Sequence, residues 1–216
     1  MNIILFGPPG AGKGTQANKI IQSFNLHKVS AGDLLRNEIN KNTDLGKEIK
    51  FIIEKGSLVS DKIINDLIIK ILSDKKFYNR IIFDGYPRTL DQAKNLDLLL
   101  KKYNQKISCV LCLNVEKEII TKRILGRQTC EKCGAIFNKY FNPVIEKNHK
   151  CGKKFIVKRS DDNEKVILKR YQTYLDRTVP IIDYYKKLNL LHEIDGKTEI
   201  DQIFVKIGHI ISSLET

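Results

Sequence analysis

The sequence predicts an α/β fold in which a mostly parallel β-sheet lies between two layers of helices. Short apolar runs alternate with segments of helical periodicity, and the first apolar run passes through a glycine-rich turn directly into a helix. The expected strands cover residues 3–6, 28–30, 80–84, 108–115 and 190–194. The expected helices cover 34–40, 45–55, 61–72, 90–103, 117–125, 163–187 and 200–214, after a first helix that ends at residue 24. At 216 residues the chain is long enough for one such domain with insertions.

The glycine-rich turn reads GPPGAGKGT at positions 7–15. Its glycines allow the backbone N–H groups to point inward, and the next helix adds the positive end of its dipole. Lys13 would reach phosphate groups, and the Thr15 hydroxyl would meet a magnesium ion or a phosphate oxygen. The turn departs from the general phosphate-loop pattern only because Gly14 precedes the hydroxyl residue. It predicts a nucleotide site rather than a plain connection between strand and helix.

Composition argues against several other classes of protein. The net charge is +13, but the lysines are scattered, which favours a solvated basic surface over a nucleic-acid partner. No apolar run approaches the roughly 20 residues that span a bilayer, and the first strand leaves no room for a leader, so we expect a cytoplasmic protein. Five cysteines there argue against a disulfide framework, and we expect Cys109 and Cys112 to be core residues rather than a redox pair.

Several candidate site residues follow the early strands. Residues 30–73 form a helical excursion, in which Asp33 is expected to cap the helix 34–40. Arg36 lies in the first turn, where a cation gains nothing from the helix dipole, so it should face solvent or an anion. Asp84 ends a buried strand and suits a magnesium partner better than a turn cap. Arg88 follows at the carboxyl end of the same strand, where ligands of open α/β sheets bind.

Residues 126–160 differ in character from the rest of the chain. They predict a small β-rich insertion that contains Cys130, Cys133 and Cys151. Such an insertion is too small for a large core, so we expect a cross-link to hold it together. Asp161 and Asp162 are expected to cap the long helix that follows. Residues 1–29, 74–125 and 161–216 would form the core domain.

Six stretches carry a resemblance to a known family. They are GPPGAGKGT at 7–15, AGDLLR at 31–36, DGYPRT at 84–89 with QA at 92–93, RILGR at 123–127, RSDDNE at 159–164 and KR at 169–170. In order and spacing, across nearly the full length, the chain resembles the adenylate kinases in their long-lid form. The resemblance implies a phosphate-loop kinase fold and the reversible, Mg²⁺-dependent reaction ATP + AMP = 2 ADP. It also implies a monomer whose partners are the small molecules ATP, AMP and ADP, with neither nucleic acid nor membrane.

The resemblance also assigns residues. Those implied to bind ATP are Gly10, Ala11, Gly12, Lys13, Gly14, Thr15, Arg123, Arg127, Ile136, Phe137 and Thr198. Those implied to bind AMP, within the excursion 30–73 and beyond it, are Ala31, Arg36, Ser57, Leu58, Val59, Gly85, Tyr86, Pro87, Arg88, Gln92, Arg159 and Arg170. The residues expected to act in catalysis are Lys13, Asp84, Arg88, Arg123, Arg127, Arg159 and Arg170. Residues 126–160 would close as a lid, with Gly126 near one hinge.

Two positions depart from the family pattern. Ala31 stands where the family more often has Thr or Ser, and the stretch SAGD resembles the uridylate and cytidylate kinases. Gln92 and the long lid favour AMP as the acceptor, with UMP or CMP as alternative acceptors and GTP as an alternative donor.

Lys154 stands where zinc-bearing lids have a fourth ligand. Cys130, Cys133 and Cys151 could still bind a structural Zn²⁺ with His149 or water, and the alternative is a lid held by packing alone.

Two other classes of protein would each explain part of this sequence. A basic nucleic-acid-binding protein would explain the charge and the C-x-x-C spacing, but it leaves the phosphate loop, Asp84 and Arg88 without a role. A nucleotide-controlled switch would explain the phosphate loop, but it predicts a guanine-specific motif that the sequence does not contain.

Overall fold

The computed structural model describes residues 1–145 and 149–215, so residues 146–148 of the predicted lid and residue 216 of the predicted core lie outside the description. The strands are β1 Asn2–Phe6, β2 His27–Ser30, β3 Ile81–Asp84, β4 Cys109–Asn114, β5 Arg127–Cys130, β6 Ile136–Asn138, β7 Ile156–Val157 and β8 Leu191–Asp195. Within this description, five of them form a parallel sheet in the order β2-β3-β1-β4-β8. The carboxyl ends of these strands therefore meet at one edge, with β1 in the centre.

Helices cover the faces of this sheet, so the predicted α/β class is confirmed. They are α1 Lys13–Phe24, α2 Ala31–Asn40, α3 Asp44–Glu54, α4 Asp61–Leu72, α5 Leu90–Lys102, α6 Lys117–Leu125, α7 Glu164–Thr173, α8 Val179–Lys187 and α9 Ile200–Ser212. Single 3₁₀ turns lie at Lys75–Phe77 and Lys153–Phe155. Across the described ranges, no helix combines the length and the apolarity needed to cross a membrane.

The alternation of side chains along β1 shows how the two apolar layers arise. Ile4 and Phe6 pack on the side of α5 and α8, whereas Ile3 and Leu5 pack on the side of α1 and α9. Cys112 belongs to the first layer and Cys109 to the second, and both are free thiols with no exposed surface. The expectation that they are core residues is confirmed.

The helical excursion, residues 30–73, has a small core of its own. Leu35 of α2, Ile49 of α3 and Val59 form a buried cluster there. The helix α2 begins earlier than expected, because the Ser30 hydroxyl, not Asp33, accepts the capping hydrogen bond, which the Asp33 N–H donates over 3.3 Å. The prediction that Asp33 is the cap is therefore wrong.

The expectation that Asp161 and Asp162 cap a long helix is also wrong. The cap of α7 is Asn163, whose side-chain oxygen accepts from the N–H of Val166 over 3.1 Å. The two aspartates instead pair with arginines of the cleft described below. The predicted helix 163–187 is α7 and α8 joined by a π-helical segment, Tyr174–Thr178. Pro180 in the first turn of α8 lacks an N–H group, which disrupts the regular α-helical bonding at this junction.

The lid segment, residues 126–160, contributes a second sheet. Its strands lie in the order β6-β5-β7, and both pairings are antiparallel. Cys130 and Phe137 are its buried apolar residues in the part of the chain that the structure describes. The lid segment is therefore β-rich, as the sequence predicts.

Candidate active site

The phosphate loop connects β1 to α1 at the carboxyl edge of the sheet. Gly12 precedes α1 with φ 97°, a left-handed conformation, and a Cβ there would meet no atom within 4 Å. Its backbone conformation, rather than crowding, therefore favours glycine. Lys13 begins α1, and its Nζ donates to the carbonyl oxygens of Gly7 (2.7 Å) and Pro8 (2.9 Å). The ammonium thus lies over the mouth of the loop, at the place where phosphate oxygens would accept from it.

Burial lowers the pKa of Lys13 to about 8, with Asp84 opposing and Arg88 reinforcing the shift. The charged ammonium is therefore poorly compensated in the ligand-free protein. An anionic ligand in the loop would restore that compensation and favour the protonated form.

Asp84 lies at the end of β3, in register with Ser30 of β2 and Leu5 of β1. Only 12% of its side chain is exposed, and its Oδ2 lies 4.0 Å from Nζ of Lys28. The same ammonium lies 3.5 Å from Oδ2 of Asp33. Burial works to raise the pKa of Asp33, but Arg36 and Lys28 together hold it below its usual value.

Guanidinium groups from four separate parts of the chain converge on this edge. Nε of Arg88 donates to Gly85 O over 2.7 Å, and burial next to Arg170 lowers the pKa of Arg88 to about 10. Arg170 pairs with Asp161 at 2.6 Å, and Arg127 forms a two-pronged pair with Asp162.

Arg159 adds to this concentration of positive charge. Its pKa is lowered to about 10 by burial first and then by Arg127 and Arg36. The lowered pKa values of Arg88 and Arg159 have the same physical meaning, because both side chains are desolvated among other cations. The cleft is therefore complementary to a highly charged anion.

The cleft consists of two chambers. The first chamber lies between the phosphate loop and the lid segment, and all eleven residues predicted to bind ATP line it. The second chamber lies between the helical excursion, the phosphate loop and α7. Seven residues line both chambers: Pro9, Lys13, Gly32, Arg36, Gly85, Arg88 and Arg170. The chambers thus meet at one lysine and three arginines.

The residues predicted to bind AMP are divided. Arg36, Ser57, Leu58, Gly85, Pro87, Arg88 and Arg170 line the second chamber, and Arg159 lines the first. Ala31, Val59, Tyr86 and Gln92 line neither chamber and are buried behind the walls. Tyr86 donates its hydroxyl to Asn65 over 3.0 Å.

Gln92 has two partners already. Its Oε1 accepts from the N–H of Arg88 over 2.7 Å, and its Nε2 donates to Asp61 Oδ1 over 2.6 Å. A carboxamide has a second donor and a second acceptor site, so this leaves one of each. In this structure Gln92 positions the backbone that carries Arg88.

The first chamber contains residues that the sequence reasoning did not select. Two of them contact the predicted residue Arg123, which itself donates to Gly196 O over 2.9 Å. The ring centre of Phe141 lies 5.7 Å from the Arg123 guanidinium, and Asn138 donates to the carbonyl of Arg123 over 2.6 Å. Gln16 donates to Ile200 O over 2.9 Å, and its buried Oε1 has no hydrogen-bond partner among the described residues. Gln16 directly follows the phosphate loop, a signal that could have identified it, whereas no motif marks Asn138 or Phe141.

A cluster of metal-binding side chains lies in the lid segment. Ligand atoms of Cys130, Cys133, His149 and Cys151 all lie within 4.8 Å of one another. Of the alternatives that the sequence left open, this geometry favours His149 as the fourth member, in place of Lys154. Three sulfurs and an imidazole are a donor set that suits tetrahedral Zn²⁺.

The electrostatics of the cluster favour thiolate at one sulfur. Although burial opposes it, hydrogen bonds from the Cys133 backbone and from His149 lower the pKa of Cys130 to about 6. The His149 ring also packs edge-on against Phe137 of the first chamber, with ring centres 5.1 Å apart. The cluster therefore supports a wall of the nucleotide cleft.

This fold and its phosphate loop, opening onto a two-chambered cationic cleft, define a nucleotide phosphotransferase of the phosphate-loop class. The family model described as adenylate kinase matches residues 5–190. The chain belongs to the adenylate kinase family, and it is therefore a phosphotransferase enzyme of the nucleoside monophosphate kinase type.

Curated relatives agree with this placement over nearly the whole length. The adenylate kinase of Pelagibacter ubique (strain HTCC1062) is 50% identical over 211 residues, which are 98% of this chain and 99% of the relative. Those of Methanothrix thermoacetophila and Archaeoglobus fulgidus are 43% and 39% identical, with both chains covered completely.

Proposed function

We propose that the enzyme catalyses reversible, Mg²⁺-dependent phosphoryl transfer from ATP to AMP, giving two ADP. The observation that carries this proposal is the meeting of two chambers at Lys13, Arg36, Arg88 and Arg170. Transfer between two nucleotides needs two phosphate chains end to end, with the migrating group held among cations. The shared lining provides such a place.

In this proposal the first chamber binds ATP and the second binds AMP. The phosphate loop and Lys13 hold the ATP phosphates, Arg123 and Arg127 approach them from the lid side, and Arg36 holds the AMP phosphate. Arg88, Arg159 and Arg170 act on the transferred group, because guanidinium forks bind phosphate oxygens in pairs and keep their charge. No side chain needs to act as a nucleophile, since positioning and charge neutralisation lower the barrier.

Magnesium fits the oxygen ligands available at the phosphate loop. The Thr15 hydroxyl and the Asp84 carboxylate both line the first chamber, and hard oxygen ligands are those that Mg²⁺ prefers. When bound with ATP, the ion would neutralise phosphate charge. Asp84 would hold the hydrated ion in place, directly or through water.

We also propose that residues 30–73 and 126–160 act as separate units on the core, and that the lid segment closes to exclude water from the transferred phosphoryl group.

Zn²⁺ in the Cys130, Cys133, His149 and Cys151 cluster would be structural. Phosphoryl transfer does not require that ion, and the cluster supports the cleft through the packing of His149 against Phe137. The monomeric state and the cytoplasmic location stay predictions.

A coupled assay tests the reaction. Purified protein with magnesium and ATP is offered AMP, UMP, CMP or GMP, and ADP formation is followed. Rapid formation with AMP alone supports the proposal. The Ala31→Thr variant tests whether the residue at position 31 alters the preference among the four acceptors. Preference for UMP or CMP would instead favour the pyrimidine alternative, and transfer to none of the four would contradict a kinase of this type.

A further inference from the structure

Lys28 lies in an unusual position for a long cationic side chain. It comes from β2, lines the first chamber, and is only 16% exposed. Three oxygen atoms surround its Nζ: Asn18 Oδ1 at 3.3 Å, Asp33 Oδ2 at 3.5 Å and Asp84 Oδ2 at 4.0 Å. The ammonium is therefore held inside the cleft.

These surroundings are of the type that a magnesium ion uses. Two carboxylates and an amide oxygen are hard ligands, and one of them is the Asp84 carboxylate that the proposed function places beside the ion. The ammonium and the metal ion would compensate the same negative charge. Both cations cannot do so fully at once, because like charges at close range repel each other.

We propose that Lys28 is a resident counter-cation that reduces the enzyme's preference for magnesium-bound ATP over metal-free ATP. The inference rests on the proposed function, in which ATP binds in the first chamber with its ion near Asp84. Without the ion, the Lys28 charge balances Asp33 and Asp84 and attracts the phosphate chain. With the ion present, the same charge repels it.

The expected size follows from Coulomb's law. A single and a double positive charge roughly 6 Å apart, screened as in water, repel each other enough to change an equilibrium constant by about ten-fold. Loss of the attraction between Lys28 and metal-free ATP would weaken metal-free binding. It therefore also raises the ratio of the affinity for magnesium-bound ATP to the affinity for metal-free ATP. Neutralising Lys28 should therefore raise that ratio by about ten-fold.

The test is isothermal titration calorimetry of the full-length protein with ATP, once with a chelator and once with excess magnesium. Without AMP no turnover occurs, so binding alone is measured. The variants are Lys28→Gln, which removes the charge, Lys28→Arg, which keeps it, and Lys94→Gln, which makes the same charge change at an exposed position of α5. Circular dichroism checks folding, and Lys28→Met replaces Lys28→Gln if the latter does not fold.

The expected result is a ratio of metal-free to magnesium-bound dissociation constants that rises in Lys28→Gln and stays at the wild-type value in Lys28→Arg and Lys94→Gln. A rise of about three-fold or more supports the inference, given the ten-fold Coulomb expectation. A smaller rise, a fall, or an equal rise in Lys28→Arg overturns it, even if the enzyme transfers phosphate to AMP. If wild-type protein bound neither form of ATP, the proposed function itself would fail, and the inference with it.

Discussion

The helical excursion and the lid segment flank the same cleft but are stabilised by different interactions. The excursion buries Leu35, Ile49 and Val59 between three helices, with further isoleucines packed around them. Of the described lid residues, Cys130 and Phe137 are the buried apolar ones, and Cys130 belongs to the cluster of three cysteines and one histidine. An insertion of three amphipathic helices can form its own core, whereas a short β-rich insertion needs a cross-link.

The largest effect should come from an arginine that the lid segment brings to the cleft. Arg127→Met should lower kcat/KM by about 100- to 1000-fold, because loss of one contact to developing charge costs that much. Steady-state kinetics with both substrates measures it. Arg36→Met is the matched change in the excursion, and there the main effect should be a higher KM for AMP. Similar kinetic profiles for the two variants would contradict a division of roles between the insertions.

The next effect concerns the core of the excursion. Ile49 is fully buried, so Ile49→Ala should lower the free energy of unfolding by about 3 kcal/mol through lost burial and a cavity. Urea denaturation followed by circular dichroism measures the change. The zinc content of the variant should equal that of the wild type, because the metal cluster lies in the other insertion. A variant as stable as wild type would show that the excursion does not depend on its core.

A smaller effect should follow loss of the Zn²⁺ ion proposed for the lid segment. Cys133→Ser should abolish bound zinc and lower kcat/KM for ATP by about ten-fold, since His149 would no longer hold Phe137 firmly. Elemental analysis and kinetics test this together. Cys109→Ala is the control, because that cysteine lies in the sheet and its loss should leave zinc content unchanged. Full activity of a zinc-free Cys133→Ser protein would mean that packing alone holds the lid.

The smallest effect is a pH dependence shared by both chambers. The pKa of Lys13 is about 8 in the ligand-free protein, below its usual value, and bound phosphates should raise it. Above about pH 8, ATP binding is then coupled to protonation of Lys13, so the affinity for ATP falls as pH rises. Between about pH 7.5 and about pH 8.8 the dissociation constant should increase about five-fold. Calorimetry in buffers of different ionisation heat measures the proton uptake, and Lys13→Arg, which stays charged, should give a flat profile.

Sequence patterns predicted the sheet, most helix bounds and the phosphate loop, because these depend on local periodicity and on glycines. The cap of α2 was assigned wrongly for a local reason, because Ser30, three residues before Asp33, provides it. The cap of α7 was assigned wrongly for a tertiary reason. Asp161 and Asp162 are recruited by Arg170 and Arg127, and a side chain used in an ion pair is not available to cap its own helix. Such pairs join residues 9 and 35 positions apart, which local patterns do not report.

The candidate site shows the same limit. The loop residues and arginines could be selected from motifs, but the partners of Gln92 could not, because Asp61 lies 31 positions away. Asn138 ends the three-residue strand β6 and Phe141 lies in the turn that follows, and neither is long enough for periodicity to predict which side chains face the cleft. The role of His149 depended on how the lid chain folds back toward Cys130 and Cys133.

The two sheet cysteines have a practical consequence for chemical labelling. Burial raises the pKa of Cys109 to about 12 and that of Cys112 to about 11, so both stay protonated and shielded at neutral pH. Alkylating reagents react with accessible thiols, so in the native enzyme they should modify the exposed Cys133 of the lid segment first and spare these two. A fluorescent maleimide would therefore report on the lid segment of the unaltered chain, and bound metal would slow its attachment.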